Sequence, residues 1–126
     1  MELDLAVYVH VPWCLQRCPY CDFATEAVNP AKIPHAAYGD AVARELSLRV
    51  EALARDGYTA RAKTLFFGGG TPSLLDHDAL EVIVRAVEAV GDLDEVTVEC
   101  NPTSIDRDRA AGLRDRGVTR LSLGVQ

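Results

Sequence analysis

Short apolar runs alternate along this chain with longer stretches whose apolar residues recur at helical spacing. Leu5-Ala6-Val7-Tyr8-Val9-His10-Val11 reads as a buried strand. From about residue 12 to 34 no period is sustained, and prolines bound a long loop. A connection of that length inside a compact domain is usually functional. Tyr38, Val42, Leu46, Val50 and Leu53 then share one face of a helix predicted over residues 35–56, which Gly57 ends. A second strand over 64–67 runs into Gly68-Gly69-Gly70-Thr71-Pro72. Leu80, Ile83, Val84, Val87 and Val90 mark a second helix over about 76–90, with Asp78 and Glu81 as a capping-box-like start. A third strand over 96–100 stops at Asn101-Pro102. A third helix follows to residue 116, with Ser104 as its cap and Gly117 at its end. Residues 120–124 form a fourth strand.

Strands alternating with helices predict an α/β fold, with a parallel sheet and helices packed outside it. No repeat, low-complexity tract or linker interrupts the order, so residues 1–126 read as one domain. The chain stops on a predicted strand, with no helix to cover the edge that follows. An exposed parallel edge is a pairing hazard. The expectation is therefore the N-terminal part of a larger barrel, incomplete at its C-terminus.

Bulk properties narrow the function. With 126 residues, 48% hydrophobic and 25% charged, the chain suits one small globular domain. A net charge of -6 and the lack of a Lys/Arg-rich run argue against a nucleic-acid partner. No apolar stretch approaches the roughly 20 residues of a membrane span. Glu2 and Asp4, with no basic segment before the apolar run, do not read as a signal peptide. The expected compartment is the cytoplasm, where structural disulfides are rare.

The chemistry begins with Cys14, Cys18 and Cys21, a C-x3-C-x2-C array directly after the first strand. Three thiolates can close around one metal centre but leave a fourth position open. Thiolate is the usual ligand of iron–sulfur clusters. Zinc completed by His10 or His35 is the competing reading, although neither histidine has the usual zinc-ligand spacing. Reduced cysteines without metal are the third.

The glycine run lies between a strand and a helix, where backbone can approach a ligand closely and successive N–H groups can cradle an anion. The phosphate-binding G-x4-G-K-[ST] pattern is absent. A tight turn would use the same glycines. Parallel sheets bind ligands at the C-terminal ends of their strands, which adds weight to a binding loop. Glu99 and Cys100 end the third strand and Gln126 follows the fourth, and all are expected to point into the mouth of the sheet. There Glu99 would accept hydrogen bonds from an ammonium or ribose hydroxyl group; otherwise it is a solvated loop residue. Cys100 reads as a small buried apolar residue. Tyr8 and Tyr20 suit stacking on a heteroaromatic ligand or filling a core. His77 is expected to be exposed and without a role, and residues 106–116 to form a solvated helix face.

Together, YVHVPWC, CxxxCPYCDF, FFGGGTPSLL, VTVECNPTS and GVTRLSLGVQ resemble the radical SAM superfamily. More narrowly they resemble its coproporphyrinogen-oxidase-like branch, which holds the oxygen-independent coproporphyrinogen III oxidases and the HemW-type heme chaperones. Five blocks in order and spacing cover nearly the whole chain. The resemblance implies part of a (β/α)6 TIM-like barrel with a 4Fe-4S cluster at its mouth. Cys14, Cys18 and Cys21 would be its ligands, and S-adenosylmethionine would take the fourth position for reductive cleavage by an electron from the cluster. Tyr8, Tyr20, Gly69, Gly70, Thr71, Glu99 and Gln126 would line the S-adenosylmethionine pocket. The implied partners are a reductant such as flavodoxin or ferredoxin, heme or porphyrin, and heme-acceptor proteins.

Two departures qualify the resemblance. The oxidases often carry a further cysteine two positions after the triplet, where this chain has Phe23. That leans towards heme delivery rather than radical decarboxylation of coproporphyrinogen III. The second is length, since barrel strands five and six and a C-terminal domain lie beyond these residues. A structural zinc module is the remote alternative.

Overall fold

The computed structural model describes residues 1–14, 26–27 and 29–124. Its elements are β1 (Glu2–Val11), a short pair β2 (Trp13–Cys14) and β3 (Glu26–Ala27), α1 (His35–Arg55), β4 (Thr59–Gly69), α2 (His77–Glu88), β5 (Glu95–Cys100), α3 (Arg107–Asp115) and β6 (Arg120–Leu123). Four strands form one parallel sheet in the order β1-β4-β5-β6. This is the βαβ architecture expected from the alternation of periods.

β1 and β4 are longer than their apolar centres. They pair from Glu2↔Thr59 to Val11↔Gly69, with one irregularity between Leu5 and Ala6. The residue skipped on β4 is Lys63, whose carbonyl accepts the Asp94 N–H at 2.8 Å. The polar extensions are also linked by side chains, with Arg61 reaching Asp4 at 2.9 Å and Glu2 at 3.3 Å. These exposed pairs add little stability, but backbone pairing carries the strands past the point where apolar patterning stops.

Alternation divides the sheet into two faces. Val9, Val11, Leu65, Phe67, Val96, Val98 and Cys100 are buried in one core with Leu80, Ile83, Val84 and Val87 of α2 and Leu113 of α3. α1 approaches α2 closely at Gly39, where an added Cβ would lie 3.0 Å from the Ala79 carbonyl oxygen. Tyr8, His10, Phe66, Gly68, Thr97 and Glu99 alternate with the core residues, and so belong to the opposite face.

The ends of two helices differ from expectation. Asp76, in extended conformation, caps α2 by accepting the Ala79 N–H at 2.8 Å. Asp78 and Glu81 do not form the cap; they pair with Arg116 at 3.8 and 3.4 Å. Ser104 does not cap α3 either. It closes a 3-10 turn, Pro102–Ser104, and Asp106 caps α3 by accepting the Arg109 N–H at 2.8 Å. In both cases the aspartate immediately before the first helical residue has the extended backbone an N-cap needs. Gly57 and Gly117 follow α1 and α3 as expected, with φ of +92° and +102°.

Candidate functional site at the C-terminal end of the sheet

β1 and β4 bring Cys14, the first residue of the cysteine array, and the glycine run to the same end of the sheet, in register at Val11↔Gly69. Beyond that pair the chains stay together. The Gly70 N–H donates to the Val11 carbonyl and the Thr71 N–H to the Trp13 carbonyl, both at 2.7 Å. These two amides are thus unavailable for the anion cradle expected from the glycine run.

The glycines are needed because the approach is so close. A Cβ on Gly70 would lie 2.5 Å from the Trp13 carbonyl oxygen and 2.9 Å from Cys14 Sγ. On Gly69, at φ +109°, it would meet the Val11 carbonyl oxygen at 2.7 Å and the His10 ring at 2.8 Å. All four distances are shorter than a Cβ tolerates, and positive φ is a second reason for glycine at position 69.

Cys14 is a free thiol, 8% exposed, directly beside Gly70. Cys18, Cys21, Tyr20, Phe23 and Gln126 lie outside the described residues. Among the described residues no three His, Cys, Asp or Glu side chains group to hold a metal. His10 and His35, the completing ligands of a zinc site, are engaged elsewhere through Nδ1. Tyr8 Oη is 3.1 Å from His10 Nδ1, and His35 Nδ1 accepts the Asp76 N–H at 3.0 Å.

Glu99 and Tyr8 meet over Gly68. A Cβ there would lie 2.5 Å from Glu99 Oε1 and 2.8 Å from the Tyr8 ring. The Tyr8 hydroxyl is pushed up from its ordinary pKa by partial burial and by the Glu99 carboxylate. Tyr8 stacks on Phe66 with ring centroids 6.1 Å apart and remains 57% exposed, so part of its ring surface is open. Cys100, expected in the same mouth, faces the other way. It is buried in the core, its thiol 3.6 Å from the Val98 carbonyl oxygen, with a pKa raised by burial. One residue along a strand reverses the face.

Thr71 is 2% exposed, and its hydroxyl accepts a hydrogen bond from Asn101 Nδ2 at 2.9 Å. Asn101 was legible in the sequence only as the residue that stops β5. Tyr38, legible only as a core position of α1, donates its hydroxyl to the His10 carbonyl and packs edge-on against Trp13 at 5.0 Å. Burial, then Tyr8 and Glu45, push its pKa up to about 12. Asn101 and Tyr38 thus brace the glycine run and the end of β1. Neither role has a local pattern by which it could be found.

His77 is not an exposed bystander. It is part-buried against Gly112 of α3, where an added Cβ would lie 2.1 Å from its ring. Its Nε2 is buried with no hydrogen-bond partner among the described residues. Burial, then Arg109 and Arg116, hold its pKa below the ordinary histidine value against opposing effects from Asp76 and Asp78.

Comparison with known proteins agrees with this geometry. Residues 8–126 match the model of the Radical SAM superfamily. The chain is 40% identical over 126 residues to the heme chaperone HemW of Escherichia coli (strain K12), covering 97% of this chain and 32% of that protein. It is 39% identical over 124 residues to the mitochondrial radical S-adenosyl methionine domain-containing protein 1 of Bos taurus, covering 96% and 27%. Among solved structures it is similar to the coproporphyrinogen III oxidase HemN of Escherichia coli, described as a radical SAM enzyme. The TM-score is 0.79 at 28% identity, over 99% of this chain and 28% of that one. The chain thus spans roughly a third of the length of these relatives.

Proposed function

This chain belongs to the radical SAM superfamily, and on that premise we propose that it holds a 4Fe-4S cluster and S-adenosylmethionine within a HemW-like heme chaperone. The observation that carries the reading is the contact between the two ligand-bearing segments, with Cys14 Sγ bordering the space that a Cβ on Gly70 would fill. The donor chemistry fits, because a buried free thiol is the ligand type such clusters take. Cys14, Cys18 and Cys21 would hold the metal. When bound, the cluster supplies an electron for reductive cleavage of S-adenosylmethionine.

The chain's own residues bind and orient. The Gly70 and Thr71 amides already donate to the Val11 and Trp13 carbonyls, so the methionyl part would meet the main chain at Gly69 and Gly70 without those two donors. Glu99, on the face opposite the core, would accept from ribose hydroxyl or ammonium hydrogens, and the open part of the Tyr8 ring would support a flat heteroaromatic group. Tyr20, the main chain at Thr71, and Gln126 would complete this part of the pocket.

Heme handling is carried from the relatives named heme chaperone HemW, and heme-acceptor proteins would be the partners that the resemblance implies. Phe23 at the position where the oxidases often have cysteine favours the same side. Coproporphyrinogen decarboxylation is the second reading, supported by the likeness to HemN. The test is anaerobic reconstitution with iron and sulfide. Wild type is expected to take up about four of each per chain with visible absorption, and Cys18→Ala to lose that absorption. Full retention of the spectrum in the variant would remove Cys18 from the ligand set. Heme binding by the longer protein, without turnover of coproporphyrinogen III, separates chaperone from oxidase.

A further inference from the structure

The loops that follow β4 and β5 are joined by a set of polar contacts that meets the proposed pocket at one residue, Thr71. Asn101 sits at the centre and uses both ends of its carboxamide. Its side chain accepts the Ser104 N–H, while the Ser104 hydroxyl lies 3.1 Å from the Asn101 N–H, so the turn after β5 is closed on itself. Nδ2 points the other way and donates to Thr71 Oγ1 at 2.9 Å. The hydroxyls of Ser73 and Ser104 meet in the same seam, and Arg109 Nη2 of α3 donates to the Leu75 carbonyl at 2.7 Å. Thr71 in turn is fixed to the cysteine side by its N–H on the Trp13 carbonyl.

The geometry points to Asn101 as a positioning residue, which sets the Gly69–Gly70 backbone for its ligand through the buried Thr71 hydroxyl. The inference rests on the S-adenosylmethionine reading above. The physical basis is the lack of any side chain at residues 68–70 by which the run could be anchored. Thr71 is the first residue after the glycines with a side chain to hold, and it is inside the protein. A carboxamide is suited to the task because one group both accepts from its own turn and donates across to the next. A donor or acceptor left unmatched there is costly, so the run has one preferred placement.

The test uses the full chain, reconstituted anaerobically with iron and sulfide, and equilibrium dialysis with S-adenosylmethionine. Thr71→Val and Asn101→Ala are each expected to weaken binding about tenfold, the effect of losing one buried hydrogen bond. Thr71→Ser is expected to restore it. The double variant should bind no more weakly than Asn101→Ala alone, because both changes break one contact. Iron and sulfide content should match wild type in every variant. Affinity within twofold of wild type in Thr71→Val, multiplying effects in the double variant, or loss of cluster in step with loss of binding would each overturn the assignment. If wild type itself binds no S-adenosylmethionine, the functional reading fails and the positioning role is decided by amide exchange. Asn101→Ala should then expose the Gly70 and Thr71 amides to faster exchange, and unchanged protection would sink it.

Discussion

Gly68 and Gly70 flank Gly69 at the end of β4, and the space each leaves is filled differently. Beside Gly70 stands main chain, the Trp13 carbonyl oxygen at 2.5 Å from an added Cβ, which can move only with its strand. Beside Gly68 stand side chains, Glu99 and Tyr8, which can rotate. Gly70→Ala should therefore cost about 1–3 kcal/mol of unfolding free energy, whereas Gly68→Ala should cost less. Gly68→Ala displaces the two groups assigned to the ligand, and should weaken S-adenosylmethionine binding at least about tenfold. Urea denaturation and dialysis on both variants check the contrast; equal stability losses would refute it. The glycine run was legible as a loop of close approach. Which partner each glycine approaches was not, because the partners come from β1, β2 and β5.

Among the elements, α2 and α3 depend on each other at His77 and Gly112. His77 has its pKa held down in the fold, so the unfolded chain binds a proton more readily as pH falls past the ordinary histidine value of about 6.5. Stability from this group is full above that pH and declines below it, levelling off once the folded-state histidine also protonates. Arg109 and Arg116 on the α3 side oppose protonation, and Asp76 and Asp78 on the α2 side favour it; burial and the arginines prevail. Melting temperatures are expected to fall as pH drops below about 6.5 in wild type and to fall less in His77→Gln. Parallel profiles would remove His77 from the account. In the sequence this residue was a lone histidine before a helix, with no sign that a glycine in another helix receives it. The helix starts show the same limit. Several Asp and Ser residues near each start could cap, and the backbone path selected Asp76 and Asp106.

In the molecule as a whole, α2 and α3 pack on one face of the parallel sheet, and the described residues proposed to meet the ligand lie at its C-terminal end or on the opposite face. No helix among the described residues is long and apolar enough to cross a membrane. With Cys14 and the glycine run in contact, binding of the proposed cluster and ligand would be linked to folding. S-adenosylmethionine at about 100 times its dissociation constant should stabilise the cluster-loaded chain by about 2.7 kcal/mol. The same addition should leave the iron-free chain unchanged. Thermal scans of both forms test this, and an equal shift in each would show that the ligand binds without the cluster.

The order of elements, their parallel pairing, the apolar face of α2 and the candidate chemistry of the cysteine and glycine segments were determined by sequence alone. Each is written in local periodicity or in residue chemistry that needs no partner. Tertiary structure decided the rest. It extended β1 and β4 through pairing, turned Cys100 away from Glu99, occupied the Gly70 and Thr71 amides with β1 and β2 carbonyls, and joined Asn101 to Thr71. Hydrogen bonds and close contacts between residues far apart in the chain have no local signature. They are determined only when the strands are in register and the two faces of the sheet are distinct.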